Sequence, residues 1–124
     1  MAKQSLAFIV FTLACFLLHG NASGASIGTN QVMEQSWCIV KPSMDIDQLQ
    51  KNIDYCCTQA ENNCGTIQPG GPCYNPNNLV SDASVVMNFY FQKSGNQQSA
   101  CYFNGSGLII QEDPSVGACI YPAN

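Results

Sequence analysis

The sequence predicts a small, disulfide-rich α+β domain with two helices, a short antiparallel sheet and long coils. Three observations lead to this fold class. Seven cysteines lie between Trp37 and Pro122, two segments carry apolar residues at helical spacing, and the segments between them are rich in Gly, Pro and Asn. A domain this small rarely builds a sufficient core without cross-links, so the cysteines are expected to form disulfides.

The first element is a leader, and residues 1–24 are interpreted as a signal peptide. Lys3 precedes the apolar run Leu6–Leu18, and small residues follow at 22–25. The run is too short to span a bilayer comfortably. Cleavage there would direct the chain to an oxidising compartment and remove His19, the only histidine.

The remaining chain has room for one domain of about a hundred residues. Residues 25–36 are polar and lack periodicity, so they are predicted to be a flexible lead-in to a folded domain at 37–122. The first helix is predicted over Ile46–Gln59. Asp45 and Gln48 have the spacing of a capping box at its start.

A loop is expected over Asn62–Asn78, which contains the sequence P-G-G-P. Ser81 is predicted to cap the second helix, which Gly95 would terminate. Ala100–Phe103 and Leu108–Gln111 are predicted to form a hairpin around an Asn-Gly turn.

Charge excludes several classes of partner. From Ser26 onward three lysines face eight carboxylates, a net charge of −5. Such a chain cannot neutralise a phosphate backbone, so nucleic acid is excluded, and anionic lipid and pectin-like polymers are disfavoured. The same segment has eleven Asn and ten Gln. Amides suit a neutral, hydroxyl-covered partner, although a merely soluble polar surface explains them equally well.

The cysteine count is odd after the leader, so one cysteine must remain a thiol or pair outside the chain. Six cysteines allow fifteen pairings, and spacing alone cannot choose among them. A zinc site is not expected, because the chain has no pair of C-x-x-C knuckles and no histidine beyond the leader.

The composition also argues against an enzyme. Without histidine beyond the leader, Ser-His-Asp and Cys-His sites are excluded. Two carboxylates could still serve a glycosidase, but the available acids are explained by local structural roles, with Asp54 within the first helix, Asp82 in the first turn of the second and Asp113 before a proline. The acids considered are Asp54, Asp82, Glu112 and Asp113. No cofactor is predicted. Asn104-Gly105-Ser106 is an N-glycosylation acceptor sequence in a predicted turn.

An ordered set of segments resembles the plant carbohydrate-binding module family 43, also called the X-eight domain. The segments are W-C-I-V-K-P at 37–42, D-Y-C-C at 54–57, C-G-T-I-Q-P-G-G-P-C-Y-N-P-N at 64–77, N-F-Y-F-Q-K at 88–93, C-Y-F at 101–103 and D-P-S-V-G-A-C-I-Y-P at 113–122. The family is found alone, on callose-binding proteins of plasmodesmata and at the ends of plant endo-1,3-β-glucanases. The resemblance covers Trp37 to Pro122.

The resemblance implies a non-catalytic module that binds β-1,3-glucan in the plant cell wall and is tied by three disulfides. The implied pairs are Cys38–Cys101, Cys57–Cys64 and Cys73–Cys119, which leaves Cys56 as the odd cysteine. No lipid-anchor signal is recognised at the end of the sequence, so soluble secretion to the wall is expected.

The candidate sugar contacts combine aromatic rings with amides, because a glucan ring has an apolar face and an equator of hydroxyls. They are Gln68, Tyr74, Asn75, Asn77, Asn88, Tyr90, Phe91 and Gln92. The rival interpretations are a disulfide-rich defence or inhibitor protein, and an accessory protein that docks a separate glucanase onto its substrate.

Overall fold

The computed structural model describes residues 34–59 and 64–124. The predicted signal peptide and nearly all of the lead-in lie outside the described residues. Strand β1 spans Trp37–Val40, helix α1 Ile46–Thr58, helix α2 Leu79–Lys93 and strand β2 Gly107–Ile110. Short 3-10 turns lie at Cys64–Ile67, Gln98–Cys101 and Phe103–Gly105. The predicted small α+β fold is confirmed.

Helix α1 begins as predicted. The Asp45 carboxylate accepts a hydrogen bond from the Gln48 backbone amide at 2.8 Å. The Gln48 side chain does not complete the capping box by reaching back; it donates to Asn52 Oδ1 one turn further along the helix. Leu49 and Ile53 are buried on the inner side of the helix, one turn apart.

Helix α2 begins three residues earlier than predicted. Asn78, not Ser81, is its N-cap, and its side-chain oxygen accepts from the Ser81 backbone amide at 3.0 Å. Both residues are good capping types, and Asn78 directly precedes the apolar pair Leu79-Val80. At the other end Gly95 has a φ of +77°, the left-handed conformation expected of a terminating glycine.

The sheet corrects the predicted hairpin. β2 pairs antiparallel with β1, with Trp37 opposite Ile110 and Val40 opposite Gly107. Ala100–Phe103 forms 3-10 turns instead of a strand. The Cys38–Cys101 disulfide holds this segment against β1, and a side chain at Gly107 would collide with the Cys101 carbonyl oxygen. The backbones of Gly107 and Cys101 therefore lie close together here, but they are not paired as two strands.

Three disulfides join distant parts of the chain: Cys38–Cys101, Cys57–Cys64 and Cys73–Cys119. These are the pairs that the resemblance implied. Cys56 lies outside them and is fully buried. The bridges connect β1 to the segment before β2, α1 to the next turn, and the long loop to the C-terminal tail. Each is expected to contribute about 2–4 kcal/mol to stability.

The core lies around α2, which packs against both α1 and β1. Its buried side includes two amides as well as Met87 and Phe91. Asn88 Oδ1 accepts from the Cys38 backbone amide at 3.1 Å, and Asn88 Nδ2 donates to the Pro122 carbonyl at 2.9 Å. Gln92 Nε2 donates to the Ser36 carbonyl at 2.8 Å. These amides tie both ends of the domain to α2.

Candidate functional site

Two surface cavities combine tyrosine rings with amide side chains. The first, which we call the aromatic groove, has a volume of about 340 Å³. It is lined by Gln48, Lys51, Asn52, Tyr55, Tyr90, Ser99, Ala100, Tyr102, Phe103 and Asn104. The second, which we call the loop cleft, has a volume of about 360 Å³. It is lined by Pro72, Cys73, Tyr74, Asn75, Asn78, Ser81, Pro114, Val116, Cys119 and Tyr121.

Three rings from three parts of the chain form the wall of the aromatic groove. Tyr55 of α1, Tyr90 of α2 and Phe103 contact one another edge to face, with centroids 5.5, 5.7 and 6.4 Å apart. This arrangement is the preferred one for aromatic pairs, and each ring limits the movement of the other two. Tyr102 adds a fourth ring that is 66% exposed. The groove therefore offers flat apolar surface that is already in position.

A hydrogen bond fixes the polar tips of two of these rings. The hydroxyl oxygens of Tyr55 and Tyr90 lie 3.2 Å apart. This bond raises the pKa of Tyr55 above its ordinary value, and the electrostatic effect of Tyr90 acts in the same direction. The Tyr55 hydroxyl therefore stays protonated at neutral pH and keeps a donor and an acceptor at the groove.

A strained turn carries Tyr102 and Phe103 into the groove. Phe103 and Asn104 both have positive φ, at 43° and 54°, and Gly105 follows at 82°. Left-handed conformation costs a non-glycine residue roughly 1–2 kcal/mol. The buried Ser106 hydroxyl offsets this cost, since it donates to the Phe103 carbonyl at 2.6 Å and accepts from Asn52 Nδ2 at 2.8 Å. The turn is thereby attached to α1.

The polar residues of the groove are also held in place. Gln48 Nε2 donates to Asn52 Oδ1 at 2.9 Å, so the two amides form a chain that ends at Ser106. Lys51 and Asn104 are exposed and complete the lining. Flat rings beside fixed amides and hydroxyls suit a ligand that has an apolar face and hydroxyl edges.

The loop cleft lies where the Cys73–Cys119 bridge joins the loop before α2 to the C-terminal tail. Tyr74 is 45% exposed on one wall and Val116 is 76% exposed on another. Burial is the main cause that raises the pKa of Tyr121, so this residue is protonated at neutral pH.

The structure divides the candidate residues predicted from the sequence. Tyr90 lines the aromatic groove, whereas Tyr74 and Asn75 line the loop cleft. Gln68 and Asn77 are exposed on the same long loop but line neither cavity. The predicted residues therefore do not form one continuous site.

Three of the predicted sugar contacts are buried in the structure. Asn88, Phe91 and Gln92 are 0%, 1% and 5% exposed, so a polymer cannot reach them in this fold. The side chains of Asn88 and Gln92 bond to β1, to Ser36 just before it and to the C-terminal tail. The two amides and the aromatic ring suggested a sugar-binding surface, but their position on the inner side of α2 places all three in the core.

Sequence reasoning missed three rings of the groove: Tyr55, Tyr102 and Phe103. A signal for Tyr55 was present, because it lies off the apolar stripe formed by Leu49, Ile53 and Cys56 on α1. Tyr102 and Phe103 were assigned to a predicted strand, which hid their role in a turn. Only the position of the turn against α1 brings the rings together.

Two further features were sought among the described residues: metal sites and membrane-spanning helices. Within residues 34–59 and 64–124, no group of three or more His, Cys, Asp or Glu side chains could hold a metal ion. No helix in the same ranges is long and apolar enough to cross a membrane.

Comparison with protein families gives a match to the X8 domain over residues 36–108. Glucan endo-1,3-beta-glucosidase 1 of Arabidopsis thaliana is 39% identical over 109 residues, which is 88% of this chain and 21% of the relative. Plasmodesmata callose-binding protein 5 of Arabidopsis thaliana is 37% identical over 100 residues, covering 81% of this chain and 56% of the relative.

Major pollen allergen Ole e 10 of Olea europaea is 42% identical over 87 residues. The match covers 70% of this chain and 71% of the allergen. By contrast, the chain spans only about a fifth of the length of the glucosidases that it matches.

Proposed function

The chain belongs to the X8 domain family, and from that premise we propose that it is a secreted, non-catalytic module that binds β-1,3-glucan of the plant cell wall at the aromatic groove. The observation that carries the proposal is the cluster of Tyr55, Tyr90, Tyr102 and Phe103 beside fixed amides. Two of the similar proteins are named for acting on or binding this polymer.

Binding at the groove would use stacking and hydrogen bonding together. Tyr102 offers a largely exposed ring to the apolar face of a glucose unit. Lys51, Asn104 and the tyrosine hydroxyls can bond to sugar hydroxyls at the groove edge. Because Tyr55, Tyr90 and Phe103 already contact one another, little conformational entropy of these three rings would be lost on binding.

The lining of the groove supports binding without hydrolysis. Among its described residues there is no carboxylate and no histidine, so the groove lacks the pair of acids that glycosidases ordinarily use. Asp54, Asp82, Glu112 and Asp113 line neither the groove nor the loop cleft. The glucosidase activity named for relatives is therefore not proposed for this chain.

The disulfides support the proposal that the protein is secreted to the wall. Three disulfides in so small a domain are typical of an oxidising, extracellular compartment. The partner that we propose is the polysaccharide itself, with a separate glucanase as a second partner only where the module docks an enzyme onto its substrate. We also propose N-glycosylation at Asn104, which is exposed and lies in the groove lining.

Affinity electrophoresis tests the proposal in gels that contain laminarin, a cellulose-type glucan or no polymer. We expect retardation by laminarin alone, and Tyr102→Ala should weaken it about tenfold, or about 1.4 kcal/mol. Ile46→Ala is the matched control, because Ile46 is 71% exposed and lies outside both cavities. Unchanged retardation of folded Tyr102→Ala would remove the groove from the proposal.

An assay for reducing ends completes the test. The purified chain should release none from laminarin during prolonged incubation. A defence or inhibitor protein would show no retardation by any glucan, and an accessory protein would be retained only when a glucanase from wall extract is added.

A further inference from the structure

We propose that the loop cleft is a second, independent sugar-binding site, so that one copy of the chain holds two glucan chains together. The inference rests on the proposed function but assigns a different site. It starts from a division that the structure imposes, because Tyr74 and Asn75 lie in one cavity and Tyr90 in the other.

The loop cleft has preformed walls. The Cys73–Cys119 disulfide joins its two sides, and the backbones of Val116 and Cys119 form a pair of hydrogen bonds at 2.9 and 3.0 Å. On the helix side, the Asn78 side chain is fixed because it caps α2. A cavity of about 360 Å³ with fixed walls falls within the ordinary range of small-ligand sites.

The C-terminal wall is ordered by a relay of short bonds. Asp113 Oδ1 accepts from the Ser115 backbone amide at 2.9 Å, and the Ser115 hydroxyl accepts from the Tyr121 backbone amide at 2.8 Å. Hydrogen bonding from the Ser115 side chain, and next from its backbone amide, lowers the pKa of Asp113, so the carboxylate can accept these bonds at neutral pH. The tail that carries Val116 is therefore held in place beside Tyr74.

The chemistry of the lining selects the occupant. None of the described residues that line the cleft carries a charge, which leaves nothing to pair with a phosphate, a carboxylate or an ammonium group. The lining instead offers the exposed Tyr74 ring with the polar groups of Asn75, Asn78 and Ser81. A ring with an apolar face and hydroxyl edges fits this combination as it fits the aromatic groove.

The two cavities are on opposite sides of α2. Ser81 lines the cleft and Tyr90 lines the groove, nine residues apart on the same helix. Nine residues are about two and a half turns, so the two side chains leave opposite sides of the helix, roughly 14 Å apart along its axis. A single glucan stretch would have to pass around the helix to lie in both, so each cavity would hold its own chain.

Titration calorimetry with a β-1,3-glucan oligosaccharide counts the sites directly. We expect two sites in the unmodified chain, one in Tyr74→Ala and one in Tyr102→Ala. Only the unmodified chain should make long laminarin turbid by cross-linking it, and both single variants should lose this property. Val116→Arg, which places a bulky cation over the cleft, should behave like Tyr74→Ala.

The outcomes separate the two proposals. One site that Tyr102→Ala abolishes would support the proposed function and overturn the second site. Loss of binding in Tyr74→Ala alone would overturn the groove as well as the presence of two sites. Turbidity that comes from a dimer with one site per copy, detected by light scattering, would also overturn the inference, as would capture of a proline-rich peptide by the cleft in place of sugar.

Discussion

Residues that are close together on each helix differ strongly in solvent exposure. On α1, Tyr55 is 48% exposed while Cys56 is 0% exposed. On α2, Asn88 is fully buried, whereas Tyr90 two residues later is half-exposed and lines the aromatic groove. The inner sides of the helices hold the fold together, and the outer sides present the candidate site.

The contrast between inner and outer helix positions changes how the many Asn and Gln residues are interpreted. Polar amides indicated a surface for sugar, yet Asn52, Asn88 and Gln92 lie inside. Asn88 and Gln92 bond to backbone groups of distant segments, and Asn52 bonds to the Ser106 hydroxyl. Buried amides with full sets of hydrogen bonds specify how the elements fit together. The surface that we propose for sugar binding is instead made chiefly of rings, which residue counts alone would assign to the core.

The largest effect is expected at Cys56, which tests the difference between buried and exposed helix positions. Burial raises the pKa of its thiol to about 12 from an ordinary value of 9.0. Because the thiolate is the reactive form, alkylation at pH 8 should be slower by roughly a thousandfold than in the denatured chain. The raised pKa also means that stability is lost as pH rises from about 9 towards 12. Mass spectrometry of iodoacetamide-treated protein measures the rate, and rapid labelling of native Cys56 would contradict its interior position.

Asn88→Ala should cause the next largest effect. It leaves the Cys38 amide and the Pro122 carbonyl without their present partner, which costs roughly 2–4 kcal/mol in the free energy of unfolding. Asn75→Ala is the control, because Asn75 is exposed on the loop, and it should change stability by less than about 0.5 kcal/mol. Denaturant titration compares them, and equal losses would erase the distinction between buried and exposed amides.

Glycosylation at Asn104 should weaken glucan binding more modestly. Asn104 lines the groove, so an attached glycan would compete with glucan for the same edge. We expect an affinity about fivefold lower, near 1 kcal/mol, in protein from a glycosylating host. Enzymatic deglycosylation should restore it, and Asn104→Gln should be insensitive to the host. Full glycan occupancy with unchanged affinity would place the binding surface elsewhere.

The smallest effect is expected at Asp82, near the start of α2. Burial raises the pKa of its carboxyl group, and among the described residues Oδ1 has no hydrogen-bond partner. A folded-state pKa above the unfolded value gives stability that is present at low pH and is lost as pH rises through the folded pKa. Asp82→Asn should therefore gain a few tenths of a kcal/mol at pH 7 and nothing near pH 3.

The control for that change is Asp47→Asn. Asp47 is exposed in the first turn of α1, so loss of its charge removes a favourable interaction with the helix dipole and should lower stability slightly. Thermal melts at both pH values give the comparison. A destabilised Asp82→Asn at pH 7 would show that the helix dipole outweighs burial at Asp82.

Local features of the fold were predictable, whereas long-range contacts were not. Apolar spacing and Asp45 located α1, and Gly95 located the end of α2, because these signals act within one or two turns. Pairing of β1 with β2 joins residues about seventy positions apart in the sequence, and no local sequence pattern predicts that pairing. The hairpin was predicted because an Asn-Gly turn usually joins paired strands; here it follows a disulfide-bonded 3-10 turn.

The candidate site was predictable in kind but not in place. Tyr74, Asn75 and Tyr90 were identified as rings and amides suited to sugar, and each lines a cavity. The grouping of Tyr90 with Tyr55 and Phe103 depends on how α1, α2 and the turn pack. The burial of Asn88 and Gln92 likewise depends on β1 and the C-terminal tail, which are distant in sequence.

The single tryptophan of the chain has a practical consequence. Trp37 is 4% exposed, and its indole nitrogen donates to the Tyr121 carbonyl at 3.0 Å, so it joins β1 to the C-terminal tail. It lines neither cavity. Its fluorescence should therefore shift to longer wavelength when the domain opens and stay constant when sugar is added, which makes it an internal probe that separates a misfolded variant from one that has lost only its ligand.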